Sequence, residues 1–332
     1  MKDYIGNPLQ IKGVEQYVLQ NGKGNGMHFL NIRNGLGLEI WISLDRAGDV
    51  SRVNFMGDNI GYFAPCGYVA PQYYDNRGTG FLKSFTAGFF TTCGLSAVGS
   101  PCIDDGEELP LHGTISHIPS EICAIEETEK ELIIKLRIRD TVLFGRKLVM
   151  NRVYTISYTE NVFTVNDTVT NEADTQSPYM IMYHCNMGYP LLNENSLVKI
   201  PNNAVQARNE HAKKYIDSAL QMEKPQSCYE ERCYYYDVKE NDNIAKVGIF
   251  SSNINKGLIM EYDKKALPCF TEWKMMGKTD YVLGLEPGNC TPDGRNVLRE
   301  NNTLKFLQPD QSATTTIKFT FINEGKTFEE AF

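Results

Sequence analysis

Near the end of the chain, the segment Thr316-Ile317-Lys318-Phe319-Thr320-Phe321 alternates polar and apolar side chains. A period of two places the apolar side chains on one face of a β-strand and the polar side chains on the other. A second run, residues 163–170, alternates in the same way. These two segments predict strands that each turn one face toward a hydrophobic core.

Six further segments have the composition of strands, because threonine, tyrosine, valine and isoleucine dominate them. They are residues 132–139, 147–158, 178–184, 246–251, 258–262 and 281–285. Helix signals are confined to residues 210–220, and nothing alternates strand with helix. We therefore expect an all-β protein, a large antiparallel β-sandwich. No linker, repeat or change in composition divides the chain, so we expect one domain over residues 1–332.

The composition excludes several classes of protein. The 332 residues carry a net charge of −8 without a block of lysine or arginine, which argues against a nucleic-acid or anionic-membrane partner. No apolar stretch has the length of a transmembrane helix, and residues 1–8 lack the apolar core of a secretion signal. The nine cysteines include no C-x-x-C pair. Reduced thiols fit a cytoplasmic location, which is our expectation.

Three short segments are candidates for a functional site. His112 stands before a glycine in residues 110–119, and His184 ends an apolar strand in residues 182–190. Glu286 follows the strand at 281–285 and precedes a loop rich in proline and glycine. Each residue alone is more typical of a structural role at a strand end. Together, three titratable groups at strand-to-loop junctions predict convergence at one rim of the sheets.

The order of these motifs carries a resemblance to a known family. Leu-His-Gly at 111–113, Tyr-His-x-Asn at 183–186 and Glu-Pro-x-Asn-x-x-Pro-Asp at 286–293 resemble the aldose 1-epimerase (galactose mutarotase) superfamily. The pattern is most similar to its DUF4432 family and extends over residues 38–321. The resemblance implies a mutarotase-like sandwich whose concave face holds a sugar. It also implies interconversion of sugar anomers without metal or organic cofactor.

The resemblance also implies roles for the three candidate residues. In the superfamily, a glutamate removes the proton of the C1 hydroxyl and a histidine protonates the ring oxygen. Carried over by motif, Glu286 is the general base and His184 the general acid. His112 holds the ring oxygen or shares the acid role. The residue types agree with this chemistry, because ring opening needs a base and an acid on the two oxygens of one hemiacetal.

Candidates for sugar binding are less well defined by the motifs. The superfamily uses an arginine upstream of the first histidine, and Phe81 stands where it would fall, so Arg77 or Lys83 is a candidate substitute. Arg46 is a candidate for a sugar contact or for a structural ion pair with its neighbour Asp45. The remaining candidates are His117, Asn186 and Trp273, of which Trp273 would stack on a sugar ring or belong to the core.

Three other functions remain open from the sequence. The first is a carbohydrate-binding protein without turnover. The second is a metal site formed by His112, His184 and Glu286, although the sequence lacks typical ligand spacing such as H-x-H. The third is a glycoside hydrolase, which needs a second carboxylate facing Glu286. Asp293 is the only nearby candidate for that carboxylate, and we expect it on an outward loop.

Overall fold

The computed structural model of the protein describes residues 2–332, with 49% of residues in strands and 10% in helices. In chain order the strands are β1 (Gly13–Val18), β2 (His28–Arg33), β3 (Leu38–Ser43), β4 (Asp49–Phe55), β5 (Asp58–Asn59), β6 (Tyr62–Phe63), β7 (Ala87–Gly88), β8 (Phe90–Leu95), β9 (Cys102–Asp104), β10 (Glu107–Leu109), β11 (Glu121–Glu127), β12 (Glu131–Thr141), β13 (Lys147–Ser157), β14 (Val162–Asn171), β15 (Ser177–Pro178), β16 (Met180–Met187), β17 (Ser196–Lys199), β18 (Asn202–Ala207), β19 (Arg232–Val238), β20 (Glu240–Asn241), β21 (Ile244–Ser251), β22 (Lys256–Asp263), β23 (Cys269–Met276), β24 (Tyr281–Gly288), β25 (Phe306–Leu307) and β26 (Ser312–Ile322).

Three large antiparallel sheets organise these strands. A nine-stranded sheet has the order β11-β12-β13-β14-β26-β22-β21-β17, with β20 added beside β21. A six-stranded sheet has the order β18-β19-β23-β24-β16-β8, and a five-stranded sheet runs from β1 to β5. One hydrophobic cluster takes side chains from all three, including Leu30, Ile134, Tyr183 and Phe319. The expected all-β antiparallel sandwich is confirmed, and a single domain over residues 1–332 stays a prediction.

The two segments with the clearest alternation pair directly with each other. In the register of β14 and β26, Phe163 lies opposite Phe319 and Val165 opposite Ile317. The two phenylalanine rings lie 4.8 Å apart between centroids, and both are fully buried. Cross-strand pairs of this kind stabilise a sheet through packing. The period-two pattern therefore identified the face of the nine-stranded sheet that packs on the core.

A buried ionic network joins the three sheets around Arg152 on β13. Its guanidinium donates to both carboxylate oxygens of Asp167 on β14 (2.8 and 2.6 Å) and to Asp49 Oδ1 on β4 (2.7 Å). It also donates to Thr92 Oγ1 on β8 (2.7 Å), while the hydroxyl of Tyr183 on β16 donates to Asp167 Oδ2 (2.6 Å). Arg152 is fully buried, so these hydrogen bonds take the place of the water that would solvate an exposed guanidinium.

Helices are few and short. They are α1 (Glu210–Lys213), α2 (Arg295–Glu300) and α3 (Gly325–Glu330), with 3-10 helices at Lys2–Tyr4, Pro8–Gln10, Pro71–Tyr73, Gly80–Lys83, Ile115–His117 and Ile216–Ser218. The helix expected over residues 210–220 is thus only one turn of α-helix and a later 3-10 turn. Lys274 donates to the carbonyls of Ser218, Ala219 and Gln221, where this segment ends. Across residues 2–332, no helix is both long and apolar enough to span a membrane.

Candidate active site

The sheet register brings His184 and Glu286 together. On the paired strands β16 and β24, Cys185 lies opposite Leu285, which places His184 opposite Glu286. Directly opposed residues in antiparallel strands have neighbouring side chains. The Glu286 carboxylate therefore lies inside β24, and the expectation that it sits where the strand opens into a loop is wrong. Pro287 continues this strand although it has no N–H for the ladder.

The two side chains form a close, buried pair. Nε2 of His184 lies 3.2 Å from Oε1 of Glu286, with side chains only 6% and 3% exposed. Gly284 leaves the space that the carboxylate occupies, because a Cβ there would lie 2.2 Å from Glu286 Oε1. The absence of a side chain at Gly284 is thus a requirement for the observed position of Glu286.

We expect Gly284→Ala to lower the activity of the site, because the added methyl group displaces the Glu286 carboxylate. Displacement of a catalytic group by about 1 Å costs on the order of 100-fold in rate. Gly6→Ala is the control variant, and it should leave the rate unchanged because a Cβ at Gly6 meets nothing within 4 Å. The measurement is the rate of the anomer exchange that the family resemblance implies, together with thermal stability. An unchanged rate in Gly284→Ala would show that the carboxylate position is unimportant.

His112 reaches the same site from the loop between β10 and the 3-10 helix Ile115–His117. Its ring centroid lies 5.5 Å from that of His184, and its φ of +59° is in the left-handed region. The following Gly113 is required, because a Cβ there would lie 2.3 Å from the Gly94 carbonyl oxygen. The backbone N–H of His112 donates to the Gly99 carbonyl (2.9 Å). These contacts fix a tight turn beneath the imidazole.

The three residues share one cleft, which we call the first cleft. Its empty volume is about 930 Å³ including the open mouth, and its lining includes His112, His184 and Glu286. Within residues 2–332, Nδ1 of both histidines and Oε1 of Glu286 are buried without a hydrogen-bond partner in the protein. Buried polar groups normally have partners. These unpaired atoms are themselves buried, and they belong to residues that line the cleft.

Burial sets the protonation of the three groups. It lowers the pKa of His184 to about 4. It also lowers the pKa of His112 well below its ordinary value, with the neighbouring His184 and Arg208 adding to the effect. Burial raises the pKa of Glu286 well above that of a free carboxyl; Glu231 adds to this and Arg208 opposes it. The buried His184–Glu286 pair therefore favours its uncharged form near neutral pH.

Arg208 is the cation of the first cleft, and it was not among the residues predicted from the sequence. It follows β18 and donates to Ser100 Oγ (2.9 Å) and to the Pro292 carbonyl (3.3 Å). Asp293 Oδ1 lies 3.7 Å from its Nε. These contacts hold the guanidinium at the cleft wall. No motif marks Arg208 in the sequence, because only the fold brings the end of β18 to this wall.

Trp273 also lines the first cleft, and it packs against a small hydrophobic cluster that includes Phe81 and Phe85. Its ring lies 5.2 Å from the His184 ring at an angle of 74°. Its Nε1 donates to Glu231 Oε2 (2.7 Å), and Glu231 lines the cleft as well. Thr271 lies beside Glu286 in the register of β23 and β24. The indole is therefore held in one orientation beside the histidine–glutamate pair.

Arg77 and Lys83, the two substitutes considered for the superfamily's arginine, lie outside the cleft lining. Arg77 is exposed. The Lys83 ammonium is 72% exposed and pairs with Asp75 (2.7 Å). Phe81 lines the cleft instead, with its ring 5.2 Å from that of His112. The structure offers Arg208, rather than Arg77 or Lys83, to a bound molecule.

Three other candidates are used within the protein. Arg46 is buried and donates to the carbonyls of Ser116, Val69 and Ser84, and within residues 2–332 it forms no ion pair with Asp45. His117 stacks on a tyrosine at 3.7 Å and lies within hydrogen-bond distance of two serine hydroxyls. The Asn186 amide donates to the His184 carbonyl (2.8 Å) and is fully buried. None of the three lines the cleft.

The described residues contain no group of three or more His, Cys, Asp or Glu side chains arranged to hold a metal ion. His112, His184 and Glu286 thus share a cleft without forming a coordination cage. The arrangement is suited to proton transfer, because an imidazole and a carboxyl lie within reach of one bound molecule.

A family model described as a domain of unknown function, DUF4432, matches residues 24–321. The chain belongs to the DUF4432 family. The match confirms the resemblance inferred from the motifs. A search of curated proteins found no match to this sequence.

Solved structures show which folds this DUF4432 chain resembles. A putative aldose 1-epimerase from Klebsiella pneumoniae is 25% identical with a TM-score of 0.90, over 96% of this chain and 85% of that one. A galactose mutarotase-like protein from Clostridium acetobutylicum is 13% identical with a TM-score of 0.69, and the match covers 95% of this chain and 99% of that one. A galactose 1-epimerase from Lactobacillus acidophilus is 13% identical with a TM-score of 0.63, and the match covers 94% of this chain and 99% of that one. The DUF4432 chain therefore has a galactose mutarotase-like fold.

Proposed function

We propose that the first cleft binds a sugar with a free anomeric hydroxyl and interconverts its α and β anomers by ring opening. The observation that carries this proposal is the buried His184–Glu286 pair, with 3.2 Å between Nε2 and Oε1, in a cleft that His112 also lines. Ring opening requires one proton acceptor and one proton donor around a single hemiacetal. The likeness to aldose 1-epimerase structures supports the same chemistry.

In the proposed reaction, Glu286 accepts the proton of the C1 hydroxyl. The C1–O1 bond becomes a carbonyl double bond, the bond between C1 and the ring oxygen breaks, and the ring oxygen takes a proton from His184. Rotation about the C1–C2 bond presents the other carbonyl face, and the reverse transfers close the ring as the second anomer. His112 stays neutral because burial lowers its pKa, so it holds the ring oxygen by a hydrogen bond.

The pair performs both half-reactions with one shared proton. With the proton on His184, Glu286 is the base and the imidazolium is the acid for ring opening. After ring opening, the proton lies on Glu286 and His184 is neutral, which is the arrangement needed for closure. Burial favours this second, uncharged form, while Arg208 lowers the pKa of Glu286 and favours the carboxylate. The reverse transfers of ring closure then regenerate the first form, with the proton again on His184.

The shared proton predicts the pH dependence of exchange. As the pH falls through about 4, the lowered pKa of His184, the pair gains a second proton and loses its base. As the pH rises through the raised pKa of Glu286, the pair loses its only proton and therefore its acid. We expect a bell-shaped profile of kcat/KM, after subtraction of the buffer's own rate. An acid limb centred near pH 6.5 would show an unperturbed histidine and contradict this assignment.

Glu231 raises the alternative of a glycoside hydrolase, because it is a second carboxylate in the first cleft. Its Oε2, however, accepts the indole N–H of Trp273 at 2.7 Å. Through this contact Glu231 positions the indole of Trp273 at the cleft wall. We therefore expect no release of aglycone from aryl glycosides.

The function is tested by exchange NMR with free aldoses, ketoses and uronic acids. Magnetisation transfer between the α and β anomeric signals gives the exchange rate at equilibrium. We expect at least one sugar to exchange at a rate proportional to protein concentration. Binding of a sugar without faster exchange would favour the non-catalytic carbohydrate-binding function. Neither binding nor exchange with any sugar would overturn the proposal.

A further inference from the structure

A second cleft adjoins the first and is not needed for the proposed reaction. Its empty volume is about 970 Å³ including the open mouth. Four residues, Leu82, Phe85, Glu231 and Trp273, line both clefts. The two clefts are therefore neighbouring compartments that share a wall.

The shared wall has a fixed aromatic surface. The contact of Trp273 Nε1 with Glu231 holds the indole, which faces the His184 ring in the first cleft. On the far side, the second cleft contains the apolar side chains of Met275 and Val282 and the ring of Tyr62. Aromatic rings with polar tips suit ligands that have both apolar and hydroxyl-bearing faces, as sugar rings do.

The placement of the catalytic groups restricts how a ligand enters the second cleft. His112, His184 and Glu286 line only the first cleft. The anomeric carbon must lie beside this group, and its hydroxyl must be free for ring opening. A substituent in the second cleft is therefore attached to a carbon other than C1 of the ring that reacts.

The charges of the second cleft select the substituent further. Its lining has two charged side chains, Glu231 and Asp280, and both are carboxylates. The Tyr62 hydroxyl lies 3.4 Å from Asp280 Oδ1. Carboxylates accept hydrogen bonds from sugar hydroxyls but repel anionic groups. The lining thus favours a neutral ring over a uronate or a phosphate.

We propose that the second cleft binds a neutral sugar ring linked to a non-anomeric carbon of the reacting sugar. The substrate class is then a reducing disaccharide of neutral sugars, with its reducing ring in the first cleft. This inference rests on the proposed function for the identity of the first ring. Binding to the second cleft is nevertheless measurable without turnover.

The test compares neutral reducing disaccharides of different linkage with their reducing-end monosaccharides by isothermal titration calorimetry. We expect at least one disaccharide to bind about tenfold more tightly than its reducing-end monosaccharide. This is a difference of about 1.4 kcal/mol in binding free energy. Met275→Trp narrows the second cleft from β23, and Asp280→Ala removes its exposed acceptor. Both variants should reduce this advantage, with monosaccharide affinity unchanged. Asp174→Ala, an exposed acid outside both cleft linings, is the matched control.

Exchange rates for the same sugars separate this inference from the proposed function. A disaccharide advantage in binding that Met275→Trp abolishes supports the second cleft, even if no anomers exchange. Exchange of monosaccharides without tighter binding of any disaccharide overturns the second cleft and leaves the proposed function intact. An advantage that survives both variants also overturns it. Tighter binding of a phenyl-substituted monosaccharide than of every disaccharide would overturn the assignment to a sugar ring.

Discussion

Glu286→Gln is expected to slow anomer exchange by on the order of 100-fold or more, the usual contribution of a positioned acid or base. Glutamine keeps the volume of the side chain and loses the proton acceptor. Sugar binding should survive, because the cleft walls and Arg208 are unchanged. Thermal stability should stay equal or increase, since the substitution removes a buried ionisable group whose pKa is strongly raised. Exchange NMR and thermal unfolding of one preparation measure both effects.

Histidine variants provide the controls for this experiment. His184→Asn should also slow exchange, because it removes the other half of the pair. His28→Asn and His211→Asn should have little effect, since neither residue lines the first cleft. A purely structural role for Glu286 makes the opposite forecast, with lower stability and normal exchange per folded molecule. Full exchange in Glu286→Gln would end the assignment of Glu286 as the base.

Arg152→Met is expected to destabilise the fold by about 3–5 kcal/mol, the typical cost of breaking a buried ion pair. The substitution leaves Asp49 and Asp167 buried without the cation that both contact. Because the Tyr183 hydroxyl belongs to the same network, the loss reaches β16, the strand that carries His184. Urea unfolding of the variant and of the original protein gives the difference in free energy.

Arg139→Met is the matched control, on the neighbouring strand β12. Its side chain is 43% exposed, and it pairs with Glu121 and Glu172 at 3.8 and 3.5 Å. Exposed pairs contribute about 1 kcal/mol or less. Equal losses in the two variants would contradict the view that burial makes the Arg152 network essential.

Six strands of the nine-stranded sheet, β12, β13, β14, β21, β22 and β26, were predicted from the sequence, whereas β11, β17 and β20 were not. In β12, buried and half-buried side chains alternate along most of the strand, and the sequence alternates accordingly. Every residue of β8 and β16 is buried, so these strands lack a polar face. A strand buried on both faces gives no period-two signal. Residues 178–184 were found by composition alone, and β8 was not identified as a strand.

The three proposed catalytic residues were found from motifs, whereas their geometry was not. The pairing of His184 with Glu286 depends on the register of two strands about 100 residues apart, which no local pattern encodes. The position of Glu286 was misjudged, because Pro287 and Gly288 are typical of a loop yet continue β24. Arg208 lay outside every motif for the same reason, since its contacts with Ser100 and Pro292 arise only in the folded chain.

Ring opening in the first cleft is tested most directly with a sugar labelled with ¹³C at C1 and ¹⁸O at O1. The isotope shift of the C1 signal reports whether O1 stays attached while the anomers exchange. We expect rapid, protein-dependent exchange with the ¹⁸O label retained over many turnovers, because the C1–O1 bond is never broken. Loss of label in step with each anomer exchange would show cleavage of the C1–O1 bond. That result, or exchange no faster than in buffer, would contradict the account.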